Sequence, residues 1–213
     1  MRKTLLFLTM AASVAFMTSC GGGSKGVETS GAADTAGTSA ESVTYNVNTA
    51  ESKVMWTGKK VIQGTHSGTV AISNGTLSVK GDEIESGNFT IDMTKIAEVV
   101  PEGEKVDPKF VGHISSAEFF HIDSFPMAKF EITQGGKETI KGNLTIKGIT
   151  KEISIPVTQT MSENGLTATS KFTINRNDWG ITWGNGTTNK IAMLKDNFIS
   201  DDIEFEVHLV ANK

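Results

Sequence analysis

The chain has 213 residues, a formal net charge of −4, one cysteine and 38% hydrophobic residues. This length supports one folded domain of ordinary size once any processing segment is removed. Its basic residues form no cluster, which argues against nucleic acid as a partner.

The first twenty residues, MRKTLLFLTMAASVAFMTSC, place Arg2 and Lys3 before an apolar run from Leu5 to Phe16 and small residues before Cys20. This predicts a secretory signal peptide over 1–19, because the run is well short of the roughly 20 apolar residues that span a bilayer. Cys20 stands where a bacterial lipoprotein precursor is cleaved, and the stretch resembles a lipobox with Met17 in the usual leucine position. The resemblance implies lipidation of Cys20; a thioether-linked diacylglycerol with an N-acyl chain would anchor the protein stably. Residues 20–42 hold Gly, Ser, Thr, Ala and small charges with Val27 as their one large apolar residue. They are expected to form a flexible tether holding the next domain about 25 Å from the membrane. Within it, Asp34-Thr35-Ala36 resembles a short O-glycosylation motif, and ordinary linker composition is the favoured reading.

From residue 43 to 213 period-2 alternation dominates, the signature of half-buried antiparallel strands. The apolar sets are Val54 and Trp56; Phe89, Ile91 and Met93; Phe130 and Ile132; Leu144 and Ile146; Ile153, Ile155 and Val157; Phe172 and Ile174; and Ile203, Phe205, Val207 and Leu209. In TVAISNGTLSVKG, Asn74-Gly75 has the chemistry of a two-residue type I′ turn. A hairpin there would put Val70, Ile72, Leu77 and Val79 on one face. Further turns are expected at Gly135-Gly136, Lys147 to Lys151 and Asn164-Gly165. One helix is predicted in DPKFVGHISS, with Asp107 as cap, Pro108 in the first position, and Phe110 and Ile114 on one face.

About eight antiparallel strands must hide their edges, by closing into a barrel or by packing as two sheets. Arg176, in step with Phe172 and Ile174, would point to the apolar face and needs an acceptor. That acceptor is either an acidic ligand headgroup such as a phosphate, or a carboxylate such as Asp178 closing the barrel end. Trp179 is a candidate barrel-end residue and Trp183 a mouth residue, with ordinary loop packing equally open for Trp183. His66, His113 and His121, with Asp123, lack the spacings that pre-arrange a metal site. No nucleophile elbow occurs either.

Three segments, HISSAEFFHIDSFPMAKF (113–130), GNLTIKGITKEISIPV (142–157) and INRNDWGI (174–181), together with VTYNVNTAESKVMWTGKK from Val43, resemble the YceI-like family of lipocalin-like barrels. The likeness covers about Val43 to Asn212. It implies an all-β, antiparallel barrel of about eight strands with one short inserted helix, whose apolar interior takes a polyisoprenoid or other long-chain amphiphile without catalysis. His121 departs from the family's usual acidic residue, and Phe125 from its usual tyrosine. The candidate ligand-binding side chains are then the wall residues Trp56, Phe89, Ile91, Met93, Phe130, Ile132, Leu144, Ile146, Phe172 and Ile174. To these are added the lid residues Phe110, His113, Ile114, Phe119 and Phe120, and Arg176 and Trp179 at the barrel end. No cofactor or metal is implied. The partners are a lipid ligand and, through the anchor, the membrane of a bacterial envelope, with the domain facing the periplasm; a homodimer is left open. Two other readings compete: a hydrolase or metal-dependent enzyme using His113, His121 and Asp123, and a filled structural module that binds nothing.

Overall fold

The computed structural model describes residues 26–60, 64–184 and 199–213. The expectations for the signal peptide and for Cys20 lie outside the described residues. Eleven strands form a single antiparallel sheet among them. They are β1 (Thr29–Ser30), β2 (Val43–Val47), β3 (Lys53–Lys60), β4 (Thr65–Lys80), β5 (Glu83–Val99), β6 (Met127–Gln134), β7 (Thr139–Ile146), β8 (Ile149–Pro156), β9 (Thr158–Met161), β10 (Gly165–Asn175) and β11 (Ile199–Asn212). Helix α1 (Pro108–Ser115) is inserted between β5 and β6, and a 3-10 turn (Arg176–Trp179) follows β10.

The sheet runs β8-β7-β6-β5-β4, then through β3 and β2 to β11, β10 and β9. Beyond Val157, β9 takes over from β8 and pairs with β10, and Ser170 Oγ donates to the Pro156 carbonyl, so the sheet closes on itself as a barrel. Eight long staves, β3 to β8 with β10 and β11, make up the wall. The antiparallel barrel with one short helix is therefore as expected, and each alternating set sits within its strand except Val157, which lies between β8 and β9. The helix starts as its sequence dictates: the Asp107 side chain accepts from Lys109 N at 2.9 Å, with Pro108 in the first turn.

Two ends are distinct. At the lower end lie the reversals at 81–82, 135–138 and 162–164; at the upper end lie the β3–β4 connection, α1, the turn at Lys147-Gly148 and the 3-10 turn.

Two expectations are corrected. Asn74-Gly75 is no turn: β4 runs through it, pairing Asn74 with Thr90 and Gly75 with Phe89. Val70, Ile72, Leu77 and Val79 are all buried, as the hairpin required, but for another reason. A register shift between Ile72 and Asn74 inserts an extra residue, leaving Ser73 and Asn74 both exposed and flipping the parity of the rest of the strand. Gly75 is needed for close approach, since a Cβ there would lie 2.8 Å from both the Phe89 and Val47 side chains. The real reversal comes at Gly81, φ +64°.

The second correction concerns the tether. Residues 27–42 lie against the outer wall as a strap. Val27 N donates to Thr173 O of β10 while Thr29 and Ser30 pair with Ile153 and Glu152 of β8, so the segment fills the upper seam where these strands part. Asn143 then holds Ala33 by both its N–H and C=O (3.0 and 2.7 Å), and Ala36 N donates to Ile132 O. Thr38 bonds Ser86 and Ser78, and Glu85 accepts from Ser39 N and the Ser42 hydroxyl. Composition rightly denies this segment a core of its own. The wall supplies the polar partners that composition cannot reveal.

Candidate ligand cavity

The inward faces of the staves do not meet. Between them lies a cavity of about 430 Å³, within the range that small-molecule sites occupy. Its wall is apolar from Leu77, Ile84 and Leu209 at the lower end to Phe110, Phe119 and Trp183 at the upper end. From Ile203 to Leu209 alone the lining follows β11 for about 20 Å at ~3.4 Å per residue. Lining groups with ionisable side chains, Lys59, His66, Asp107, Lys109 and His113, all belong to the upper end. Lys59, Asp107 and Lys109 are exposed, which marks this end as the mouth.

Aromatic side chains roof the mouth. Phe110 of α1 stacks on His66 of β4 at 3.9 Å and 11° between planes, and its ring lies 6.2 Å from that of Trp56. Glu98 at the top of β5 fixes this arrangement: one oxygen meets His66 Nδ1 at 2.6 Å and the other accepts from Asp107 N at 3.3 Å, so the same carboxylate holds the ring and the helix start. One turn on, His113 sits edge-on to Trp183 (4.3 Å) and Phe119 (5.8 Å), with its Nδ1 3.7 Å from Glu118. Two buried nitrogens on this lining, Trp56 Nε1 and His113 Nε2, have no hydrogen-bond partner among the described residues. A buried polar atom left so costs roughly 1–3 kcal/mol. A ligand oxygen would accept from Trp56 Nε1, and a ligand hydroxyl would pair with His113 Nε2 in either tautomer.

Of the sequence-predicted residues, Trp56, Phe89, Ile91, Met93, Phe110, His113, Ile114, Phe119, Phe120, Phe130, Leu144, Ile146 and Phe172 line the cavity. Ile132, Ile174, Arg176 and Trp179 do not; all four are essentially inaccessible and belong to packing around it. Trp179 Nε1 donates to Leu144 O at 3.0 Å, pinning the 3-10 turn to β7. Arg176 leaves the strand register because the chain turns into that 3-10 segment. Its guanidinium donates to the carbonyls of Ile181 (2.6 Å), Trp183 (2.8 Å), Ser200 (3.0 Å) and Ile199 (3.2 Å) and meets Asp201 at 3.3 Å. Burial pushes its pKa below the ordinary guanidinium value and Asp201 pulls it back up. Of the two partners expected for Arg176, a carboxylate is present, but it is Asp201; Asp178 accepts from Thr29 of the strap instead.

His113, His121 and Asp123 do not form one site. His113 lines the cavity, whereas His121 lies outside the lining, with a left-handed backbone (φ +51°) and Nε2 3.0 Å from Ser124 Oγ; Asp123 is exposed. Among the described residues no group of three or more His, Cys, Asp or Glu is placed to hold a metal ion.

Sequence reading missed a share of the wall. Val54, Val70, Ile72, Ile155 and the β11 set from Ile203 to Leu209 line the cavity on the same alternation that pointed to Phe172. The signal was present and was not carried from fold to site. His66, Lys59 and Lys109 had none, because β4 and α1 meet only in the folded chain.

The family model for a YceI-like domain matches residues 45–211. The fold is also that of two solved structures. BcnA of Burkholderia cenocepacia is 21% identical, with a TM-score of 0.55 over 77% of this chain and 98% of that one. A polyisoprenoid binding domain from Saccharophagus degradans, implicated in plant cell wall breakdown, is 13% identical, with a TM-score of 0.56 over 79% of this chain and 97% of that one. No curated protein matches the chain.

Proposed function

The chain belongs to the YceI-like family, and from that premise we propose that it binds a single long-chain amphiphile, a polyisoprenoid or acyl lipid, with the tail along the barrel wall and the polar head at the mouth. One observation carries this reading: an apolar cavity runs through the barrel, and its ionisable groups and its two unpaired nitrogens, Trp56 Nε1 and His113 Nε2, gather at the upper part of it. Burying a tail contributes about 0.8 kcal/mol per methylene, so ten methylenes would supply about 8 kcal/mol before ordering costs. The relative from Saccharophagus degradans, described as polyisoprenoid binding, supports the ligand class by likeness of fold. The reading includes no catalytic step: of His113, His121 and Asp123, only His113 is on the lining among the described residues. It further includes a lipidated Cys20 that holds the protein to a bacterial envelope membrane, facing the periplasm.

Native mass spectrometry of protein extracted gently from membranes tests this. A one-to-one adduct that organic solvent removes and a prenyl or acyl lipid restores is expected. Repeated recovery of bare protein that takes up neither class would overturn the reading.

A further inference from the structure

The strap fixes where the chain enters the barrel. Read backwards from Ser30, it climbs the seam between β8 and β10 and reaches Gly26 beside Thr173, Asn175 and Asp202, at the upper end next to the 3-10 turn. Six peptide units separate Gly26 from Cys20, a reach of at most about 21 Å. A free tether from Cys20 to Val43 would have let the barrel turn any face toward the membrane. With residues 27–42 buttoned to the wall, only the mouth end lies close to the anchor.

A second observation comes from the surface. Among the described residues the large hydrophobic side chains most exposed are Val43, Met55, Val99, Val106, Met127 and Ile149. Four of them crown the upper half: Val99 ends β5, Val106 precedes α1, Met127 opens β6 under the lid, and Ile149 opens β8 against Gly180. Of the other two, Val43 lies at the lower end and Met55 on the outer face of β3 between Thr69 and Glu206. Exposed apolar residues gathered around a mouth rather than scattered mark a surface that meets something apolar.

We propose that the barrel docks mouth-down on the lipid bilayer that holds Cys20, with the strap setting the orientation and the rim of Val99, Val106, Met127 and Ile149 touching the headgroup boundary. A lipid then passes between bilayer and cavity without crossing open water. This rests on the lipidation of Cys20 that belongs to the proposed function and adds an orientation that lipidation alone does not give.

The test uses the mature lipidated protein in vesicles containing a nitroxide-labelled phospholipid. Cys20 is the chain's one cysteine, and its sulfur is consumed by the lipid thioether, so an added cysteine takes a bimane label uniquely. Bimane on Val106→Cys should be quenched at least twofold relative to the same vesicles without nitroxide, and bimane on Glu163→Cys, in the lower β9–β10 reversal, should be unchanged. Equal quenching at both positions, or stronger quenching at Glu163→Cys, would overturn the orientation while leaving lipid binding and anchoring intact. A protein whose Cys20 takes the label and which does not partition into vesicles would overturn the anchor and with it this proposal. Adding Asn143→Ala and Glu152→Ala, which unbutton the strap, should at least halve the difference between the two positions; an undiminished difference would overturn the strap's part.

Discussion

The two ends of the barrel are built from the same strands by different rules. At the lower end the reversals are short, and their polar groups bond one another: Lys137 pairs with Asp82, and the Gln159 amide donates to the Asp82 and Lys137 carbonyls. Above them Leu77, Ile84 and Leu209 close the interior with apolar side chains. At the upper end two of the connections, β5 to β6 and β10 to β11, are long, a helix is inserted, ionisable groups reach the lining, and Trp56 Nε1 and His113 Nε2 have no partner among the described residues. At the lower end the one buried side-chain atom left without a partner among the described residues, Gln159 Oε1, lies off the cavity lining. The upper end is incomplete in the way a site for a polar head is incomplete.

Changes at each end should separate stability from binding. Largest is Arg176→Met, which leaves one buried and three half-buried carbonyls without their donor: a loss of about 3–5 kcal/mol in guanidinium unfolding is expected. Lipid affinity of the molecules that remain folded should be unaltered, since Arg176 is off the lining. Next, Ala168→Phe places a ring in the lower half of the cavity, where Ala168 pairs with Gln159 and Leu209. Excluding four methylenes at about 0.8 kcal/mol each should weaken a long chain roughly 200-fold and spare a chain shorter by that much. Equal loss for both lengths, in a titration against a series of prenyl alcohols, would contradict a tail that reaches downward.

At the mouth the effects are smaller and depend on the head. Trp56→Phe removes the N–H and keeps most of the ring. It should cost a prenyl alcohol about 1 kcal/mol, roughly fivefold in Kd, and leave the corresponding hydrocarbon unaffected. Identical losses for both would take the head away from Trp56.

Smallest is the effect of acid on the strap. The Ser42 hydroxyl and the Ser39 N–H hold the Glu85 carboxyl below its ordinary value. A depressed folded pKa contributes stability that is full above the unfolded value, about 4.3, and is lost as the pH falls through the folded one. Amide protection at Ser39 and Ser42 should therefore fall below about pH 4, ahead of protection in β7 and β8.

The same contrast explains what was legible in the sequence. Strand alternation, the capped helix and the turns at Gly135-Gly136 and Asn164-Gly165 are local consequences of side-chain period and backbone preference, and they read correctly. Asn74-Gly75 misled because its turn chemistry is also what a bulged strand under the Phe89 ring uses; both explain the same four buried residues, and only pairing distinguishes them. The strap was hidden because its partners, Ser78, Ser86 and Asn143, are ordinary polar residues on outward positions. Their burial, at 8%, 6% and 5% exposure, is visible only once the wall exists. Arg176 was rightly given an acceptor, but four of its partners are carbonyls, which no side-chain pattern announces.

The central claim is that a lipid lies with its tail toward the lower end and its head at the mouth. A prenyl alcohol carrying a photoreactive diazirine at its tail terminus, cross-linked in the purified protein and mapped by peptide mass spectrometry, tests it most directly. Adducts on Leu77, Ile84 or Leu209 are predicted; adducts confined to the outer wall, or to Phe110 and Trp183 at the mouth, would contradict it.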